Sequence, residues 1–357
     1  MSLAVNVRRS AAATAAYLLL PLALASQAPR DPGMLRLEAE INRLATIAAG
    51  RVGVGIVHLE SGRELFINGK ERFPMASTYK VAIAATILSQ VDNGKLRLDS
   101  MVQMPPPPVR QARVDSGGAG ASGGRRGRGG APAQPRVLTP MQQAEREYGT
   151  QVPELSVHDL LERMLLVSNN TATDVLLALA GGGSAVNARL AALGISGISV
   201  DRPTSGVIAA AIGARGASAE EQAAVGIAFY ADTKDTSTPE AMARLLLKIW
   251  RREALSPTST DFMLDLMRRC YTGTERIRKL LPPDVVVMDK TGTLYANNTD
   301  ITNDVGIITL PNNAGHLFLT VFTKEAKRPE GHTETAIAQI ARAAYDYFVF
   351  NPIGAAK

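Results

Sequence analysis

The sequence predicts a mixed α/β (α+β) fold. An antiparallel sheet of about five strands is drawn from both ends of the chain and flanked by helices, with an all-helical domain inserted between the ends. Three observations predict it. Hydrophobic spacing is strand-like in a hairpin at residues 51–68, helical through the middle, and strand-like again in three runs after residue 283. The 357 residues are 46% hydrophobic and 20% charged, which supports a large core and excludes a wholly disordered chain. The lone cysteine, Cys270, excludes an intramolecular disulfide and any cysteine-built zinc centre.

The elements follow in order. Leu35, Leu37, Ile41, Leu44 and Ile47 recur at helical spacing over 34–49, and Gly50 stops the helix. Val52, Val54 and Ile56 alternate with small residues over 51–59. Ser61-Gly62 turns the chain into a second strand at 64–68. Residues 78–91 are apolar nearly all round, the mark of a central buried helix. Amphipathic helices are expected at 158–167, 173–180, 239–250 and 261–269, with Thr238 capping Pro239. Val285–Met288, Val305–Leu310 and Leu317–Thr323 read as strands, with turns at Asn297-Asn298 and Asn312-Asn313, and a last helix spans 333–348. This divides the chain into a sheet part (34–70 and 283–350) and a helical part (72–281).

The formal charge of +6 invites a nucleic-acid reading, so its location matters. Residues 1–25 read as a cleaved export signal: Arg8 and Arg9 precede an apolar run too short to span a bilayer, and Ala23-Leu24-Ala25 offers a cleavage site. Residues 105–136 open on four prolines and continue through Gly/Arg-rich sequence with six arginines against one acid, Asp115. This is a disordered, solvated insertion by composition. Without these two segments the chain is close to neutral, so the charge argues poorly for nucleic acid. The expected localisation is periplasmic or secreted, with no stable membrane anchor and a monomeric state. His58, His158, His316 and His332 are scattered without ligand spacing, so no metal and no cofactor is expected.

Ser77-Thr78-Tyr79-Lys80 stands at the start of the buried helix, and spacing of three puts Ser77 and Lys80 on one face. A serine hydroxyl attacks only when a base takes its proton, and a lysine serves once burial or a second cation lowers its pKa. About one Ser-x-x-Lys is expected by chance in a chain this long. Two further motifs, Ser168-Asn169-Asn170 and Lys290-Thr291-Gly292, raise it above chance, because they resemble the Ser-Asp-Asn and Lys-Thr-Gly that follow Ser-x-x-Lys in this order in class A β-lactamases and penicillin-binding proteins.

The chain resembles the class A β-lactamase family over roughly residues 34–350. Arg72 to Lys80, Leu166 to Leu176, Asp235 to Pro239, and Arg276-Ile277-Arg278 with Asp289 to Thr293 carry the resemblance. Without the insertion, the first two motifs stand at the family's usual spacing. The resemblance places the active site between the sheet and the helical domain. It implies that Ser77 attacks a β-lactam carbonyl, with Lys80 as base or relay. Ser168, helped by Lys290, passes a proton to the leaving nitrogen. Backbone N–H groups of Ser77 and Thr293 form the oxyanion hole. Asn170 meets the substrate amide, while Thr291, within the Thr291-Gly292-Thr293 stretch, binds its carboxylate. Arg276 either joins that carboxylate site or is structural.

Two departures bear on chemistry. Asn169 replaces an aspartate, which predicts altered loop bonding. More consequentially, the ω-loop glutamate that activates the deacylating water aligns with Thr204, inside a long loop closed by Arg202 and Asp235. Glu220 and Glu221 either supply the missing carboxylate or form a solvated surface pair. The leading reading is a serine β-lactamase-like hydrolase with slow deacylation, acting on a β-lactam or a peptidoglycan-like acyl substrate. The alternatives are a penicillin-binding or D-alanyl-D-alanine carboxypeptidase-like protein or esterase, and a non-catalytic binding protein.

Overall fold

A computed structural model describes residues 31–104, 154–213, 218–296, 299–327 and 330–351. The expected leader, the 105–136 insertion and the Asn297-Asn298 turn lie outside the described residues. The main sheet has five antiparallel strands: β1 (Arg51–His58), β2 (Glu64–Ile67), β7 (Val287–Ala296), β8 (Thr299–Leu310) and β9 (Gly315–Lys324). Their order is β2-β1-β9-β8-β7, so the strand joining the two ends of the chain, β1 on β9, lies in the middle and β7 is an edge. Asn312 and Asn313 both have left-handed backbone (φ 55° and 58°), which suits the tight turn between β8 and β9.

Two helices, α1 (Pro32–Ala45) and α10 (Glu330–Phe350), cover one face of the sheet. Leu37, Ile41 and Leu44 meet Ile337, Ile340 and Phe348 over Val54, Ile56 and Leu319. The helical part covers the other face. Its centre is α2 (Lys80–Asp92), buried from Lys80 through Ser89, as its all-round apolar sequence requires. Around it stand α3 (Val157–Leu166), α4 (Asn170–Ala180), α5 (Gly182–Ala192), α8 (Pro239–Trp250) and α9 (Pro257–Arg268). The small residues alternating through β1 have a packing reason. A Cβ on Gly53 would stand 2.7 Å from Pro239 Cγ, and one on Gly55 would stand 2.8 Å from Pro239 O, so α8 lies directly against the strand.

Three of the differences from expectation bear on the site. The strand read at 285–288 begins at Val287 and runs on to Ala296, so Lys290-Thr291-Gly292 lies within β7 rather than after a strand. Ser77 is not in the α-helix; it sits in a 3-10 turn, Ala76–Tyr79, that feeds α2. The long loop after Arg202 contains two helices, α6 (Thr204–Ile212) and α7 (Ala219–Ala231), whose alanine-rich sequences have almost no apolar stripe to read. They pack with Ala76, Leu294, Ala296 and Ile301 beside the start of the nucleophile turn and the far end of β7. Two-residue strands β3 (Phe73–Pro74) and β6 (Thr236–Ser237) pair to tie the entry of that turn to the exit of the loop. β4 (Met101–Gln103) pairs with β5 (Glu154–Ser156).

Candidate active site

Ser77 stands where the 3-10 turn meets β7. Ala76, just before it, has left-handed backbone (φ 46°). Asn303 of β8 holds the turn from below. Its Nδ2 donates to the carbonyls of Pro74 (2.9 Å) and Met75 (3.0 Å), and its Oδ1 accepts from the Thr323 amide (2.9 Å). Gly292 lets β7 approach this closely, since a Cβ there would lie 2.6 Å from Met75 O and 3.0 Å from Ser77 N. No motif pointed to Asn303; its role follows from register, which sets it opposite Gly292.

Two motif lysines converge on the hydroxyl of the second motif. Ser168, in left-handed backbone (φ 58°), presents Oγ to Lys80 Nζ at 3.0 Å and to Lys290 Nζ at 3.1 Å. A serine held there costs about 1–3 kcal/mol and persists because its neighbours hold it. Lys80 Nζ also donates to Ser168 O (2.6 Å) and Asn170 Oδ1 (3.0 Å), and Lys290 Nζ donates to Thr291 O (3.0 Å). Both lysines are fully buried. Burial, then the neighbouring Lys290 charge, drives the Lys80 amine well below the ordinary lysine range, with Asp174 opposing. Burial also lowers Lys290, against nearby Asp289 and Asp304. A neutral Lys80 fits its surroundings: two N–H groups reach the carbonyl oxygens and the lone pair is left for a hydroxyl proton. The Ser77 hydroxyl makes no hydrogen bond to the described residues.

The remaining expected residues line β7. Asn170 is exposed at the start of α4, with Asn169 as N-cap: Asn169 Oδ1 accepts from the Ala172 amide at 2.8 Å. Asparagine thus keeps a capping role where an aspartate was expected. Thr291 Oγ1 bonds Thr272 Oγ1 (2.6 Å), which in turn lies 3.2 Å from the buried Cys270 thiol. Thr293 is exposed, and its Oγ1 accepts from Arg276 Nη2 at 2.6 Å. Arg276 is buried beneath the strand. Its Nη1 donates to the carbonyls of Gly292 (3.1 Å) and Asn303 (2.9 Å), and its Nε pairs with Glu334 (3.1 Å). Its guanidinium is therefore part of the floor that shapes β7.

Asp235 closes the long loop. Its carboxylate accepts from the amides of Asp201 (2.7 Å) and Arg202 (3.0 Å) and from Arg202 Nε (2.5 Å). Thr204, buried at the start of α6, bonds the Tyr79 hydroxyl through Oγ1 (2.6 Å) and donates its amide to Asp174 Oδ1 (2.6 Å). Glu220 and Glu221 are exposed in the first turn of α7, where Glu221 accepts from the Ser218 amide (2.7 Å) in a capping box. Of the scattered histidines, His58 (3.6 Å) and His316 (2.7 Å) both meet the Glu60 carboxylate, and α3 gathers His158 with Asp159 and Glu162, their ligand-type atoms within 4.8 Å of one another. Glu162 there is paired with Arg269 at 2.9 Å.

A sheet from both chain ends, a helical part over one face and a nucleophile turn facing a Lys-Thr-Gly strand define a serine acyl-transfer architecture. Residues 36–348 match the model of the β-lactamase enzyme family, so the chain belongs to that family. It is 28% identical to β-lactamase VEB-1 of Pseudomonas aeruginosa, over 88% of this chain and 90% of that protein. To the extended-spectrum β-lactamase PER-1 of the same organism it is 29% identical, over 87% of each. Among solved structures, the TLA-3 extended-spectrum β-lactamase superposes with a TM-score of 0.69 at 27% identity, covering 88% of this chain and 98% of that one. A β-lactamase from Chitinophaga pinensis DSM 2588 gives 0.66 at 29%, covering 87% and 98%.

Proposed function

We propose that the protein is a serine β-lactamase that opens the β-lactam amide through an acyl-enzyme on Ser77. The observation that carries this is the Ser168 hydroxyl held between two fully buried lysine amines next to Ser77. Lys80, its pKa lowered by burial and by Lys290, takes the Ser77 proton as Oγ attacks the carbonyl carbon. The oxyanion is met by the backbone N–H groups of Ser77 and Thr293; the closeness of Ser77 N to Gly292 supports that pairing. The proton passes through Ser168 to the departing ring nitrogen, with Lys290 holding Ser168 in line. Thr291 and Thr293 bind the substrate carboxylate, with Arg276 ordering Thr293 from below, and Asn170 meets the amide side chain. Water then hydrolyses the ester, freeing Ser77 and the opened acid. In this reading the protein is exported and monomeric, and acts in β-lactam breakdown and antibiotic resistance.

Intact-mass spectrometry after penicillin exposure tests it. The expected result is one covalent equivalent on the parent protein and none on Ser77→Ala; a folded parent without adduct refutes it. Thr204 at the glutamate position is the observation that favours a penicillin-binding, D-alanyl-D-alanine carboxypeptidase-like or esterase reading. A chromogenic cephalosporin separates the two. A burst of one equivalent followed by slow but measurable hydrolysis supports the β-lactamase reading, and a burst with no steady state supports the other.

A further inference from the structure

We infer that Asp174 is the base of the deacylation step, supplying from helix α4 the carboxylate that the ω-loop lacks. The inference rests on the acyl-serine reading above. Asp174 lies one helical turn beyond Asn170, so both project from the same face of α4. Asn170 reaches Lys80 Nζ at 3.0 Å, and Asp174 accepts the Thr204 amide at 2.6 Å. The Asp174 carboxylate therefore sits between the Lys80 end of the site and the residue that stands in the glutamate's place. Its charge supports the Lys80 ammonium against burial, which puts it within electrostatic reach of that amine.

The other carboxylates of the loop are committed elsewhere. Both oxygens of Asp235 hold the loop closed. Asp201 Oδ2 takes Ser199 Oγ at 2.5 Å and the Asp235 amide at 3.2 Å. Asp232 takes Arg202 and the Lys234 amide. Glu221 caps its own helix, and Glu220 is exposed on the same outer turn. Asp174 differs from them. One oxygen is fixed by the Thr204 amide, while Oδ2 has no hydrogen bond among the described residues and is not sealed from solvent.

The step balances as follows. The water oxygen bonds to the ester carbonyl carbon and its proton goes to Asp174 Oδ2. The tetrahedral centre collapses, the carbon–Ser77 Oγ bond breaks, and Oγ takes the proton from Asp174 by relay through the Lys80 amine. This restores the Asp174 carboxylate, the Lys80 amine and the Ser77 hydroxyl. Thr204 acts as a positioning residue, since its amide aims the carboxylate.

Asp174→Asn is the test, because an amide oxygen still accepts from Thr204 N–H while the base is lost. Stopped-flow kinetics with a chromogenic cephalosporin reads acylation from the burst and deacylation from the steady state. The expected result is a full burst at close to the parent rate, with deacylation slowed about 100-fold or more. Asp174→Glu, which keeps the charge, should deacylate at least about tenfold faster than Asp174→Asn. A retained burst with parent-like deacylation in Asp174→Asn overturns the inference, as does equal loss in the two variants, which marks an anchoring role. A folded parent with neither turnover nor a covalent adduct instead overturns the acyl-serine reading, and this inference falls with it.

Discussion

Gly292→Ala probes the closeness of β7 to the nucleophile turn. The added Cβ would stand 2.6 Å from Met75 O, 3.0 Å from Ser77 N and 3.1 Å from Ala76 Cβ. Two of these are backbone atoms, and Asn303 holds the turn they belong to, so neither can rotate away. Bringing the Met75 contact to ordinary van der Waals range requires strand and turn to part by about 0.8 Å. Overpacking of this kind costs about 1–3 kcal/mol, and a clash against hydrogen-bonded backbone on both sides argues for about 2. The same displacement moves Ser77 relative to Thr293, whose backbone N–H groups form the proposed oxyanion hole. A misplacement near 1 Å costs about 100-fold, so acylation should fall between about 10- and 100-fold. The assay is stopped-flow acylation by a penicillin, beside urea unfolding of parent and variant. Acylation within about threefold of parent at unchanged stability would refute the argument that this glycine sets the gap.

Two further outcomes are expected. Asp235→Ala removes a nearly buried carboxylate that serves two amides and Arg202. Breaking a fully buried pair costs about 3–5 kcal/mol, and because Arg202 keeps Asp232 at 3.1 Å the loss should be about 2–3. Urea unfolding together with amide exchange over 201–212 measures it, and a change under about 0.5 kcal/mol without faster exchange would show that the loop does not depend on this clasp. For pH, the folded-state pKa of Lys80 is depressed, so the unfolded chain binds a proton that the native site gives up. Acylation should therefore rise with pH through the lowered Lys80 pKa and then level off. The cost of the buried amine, fully present below that pKa, is relieved as pH climbs toward the ordinary lysine value. Stability curves of the parent and Lys80→Met across this window should differ in slope; parallel curves, with acylation flat in pH, would rule out Lys80 as the base.

What the sequence made legible was what is local. The buried character of α2 was readable because no face of 78–91 is polar, and Ser77 and Lys80 share a turn. The edge strand was harder. β7 carries Asp289, Lys290 and Thr291 in buried positions, so polar residues interrupt its hydrophobic run and the run alone ends the strand at Met288. The alanine-rich α6 and α7 had no stripe to count. Asn303 and Asp174 act through residues far away in the chain: one reaches Pro74 and Met75 across the sheet, and the other meets Thr204 only when Arg202 and Asp235 close the loop. The same distinction bears on the missing glutamate. Reading one motif position against one function makes Thr204 a loss. The fold brings a carboxylate to that position from another segment, so deacylation turns on which side chains meet at Thr204 rather than on the identity of Thr204 alone.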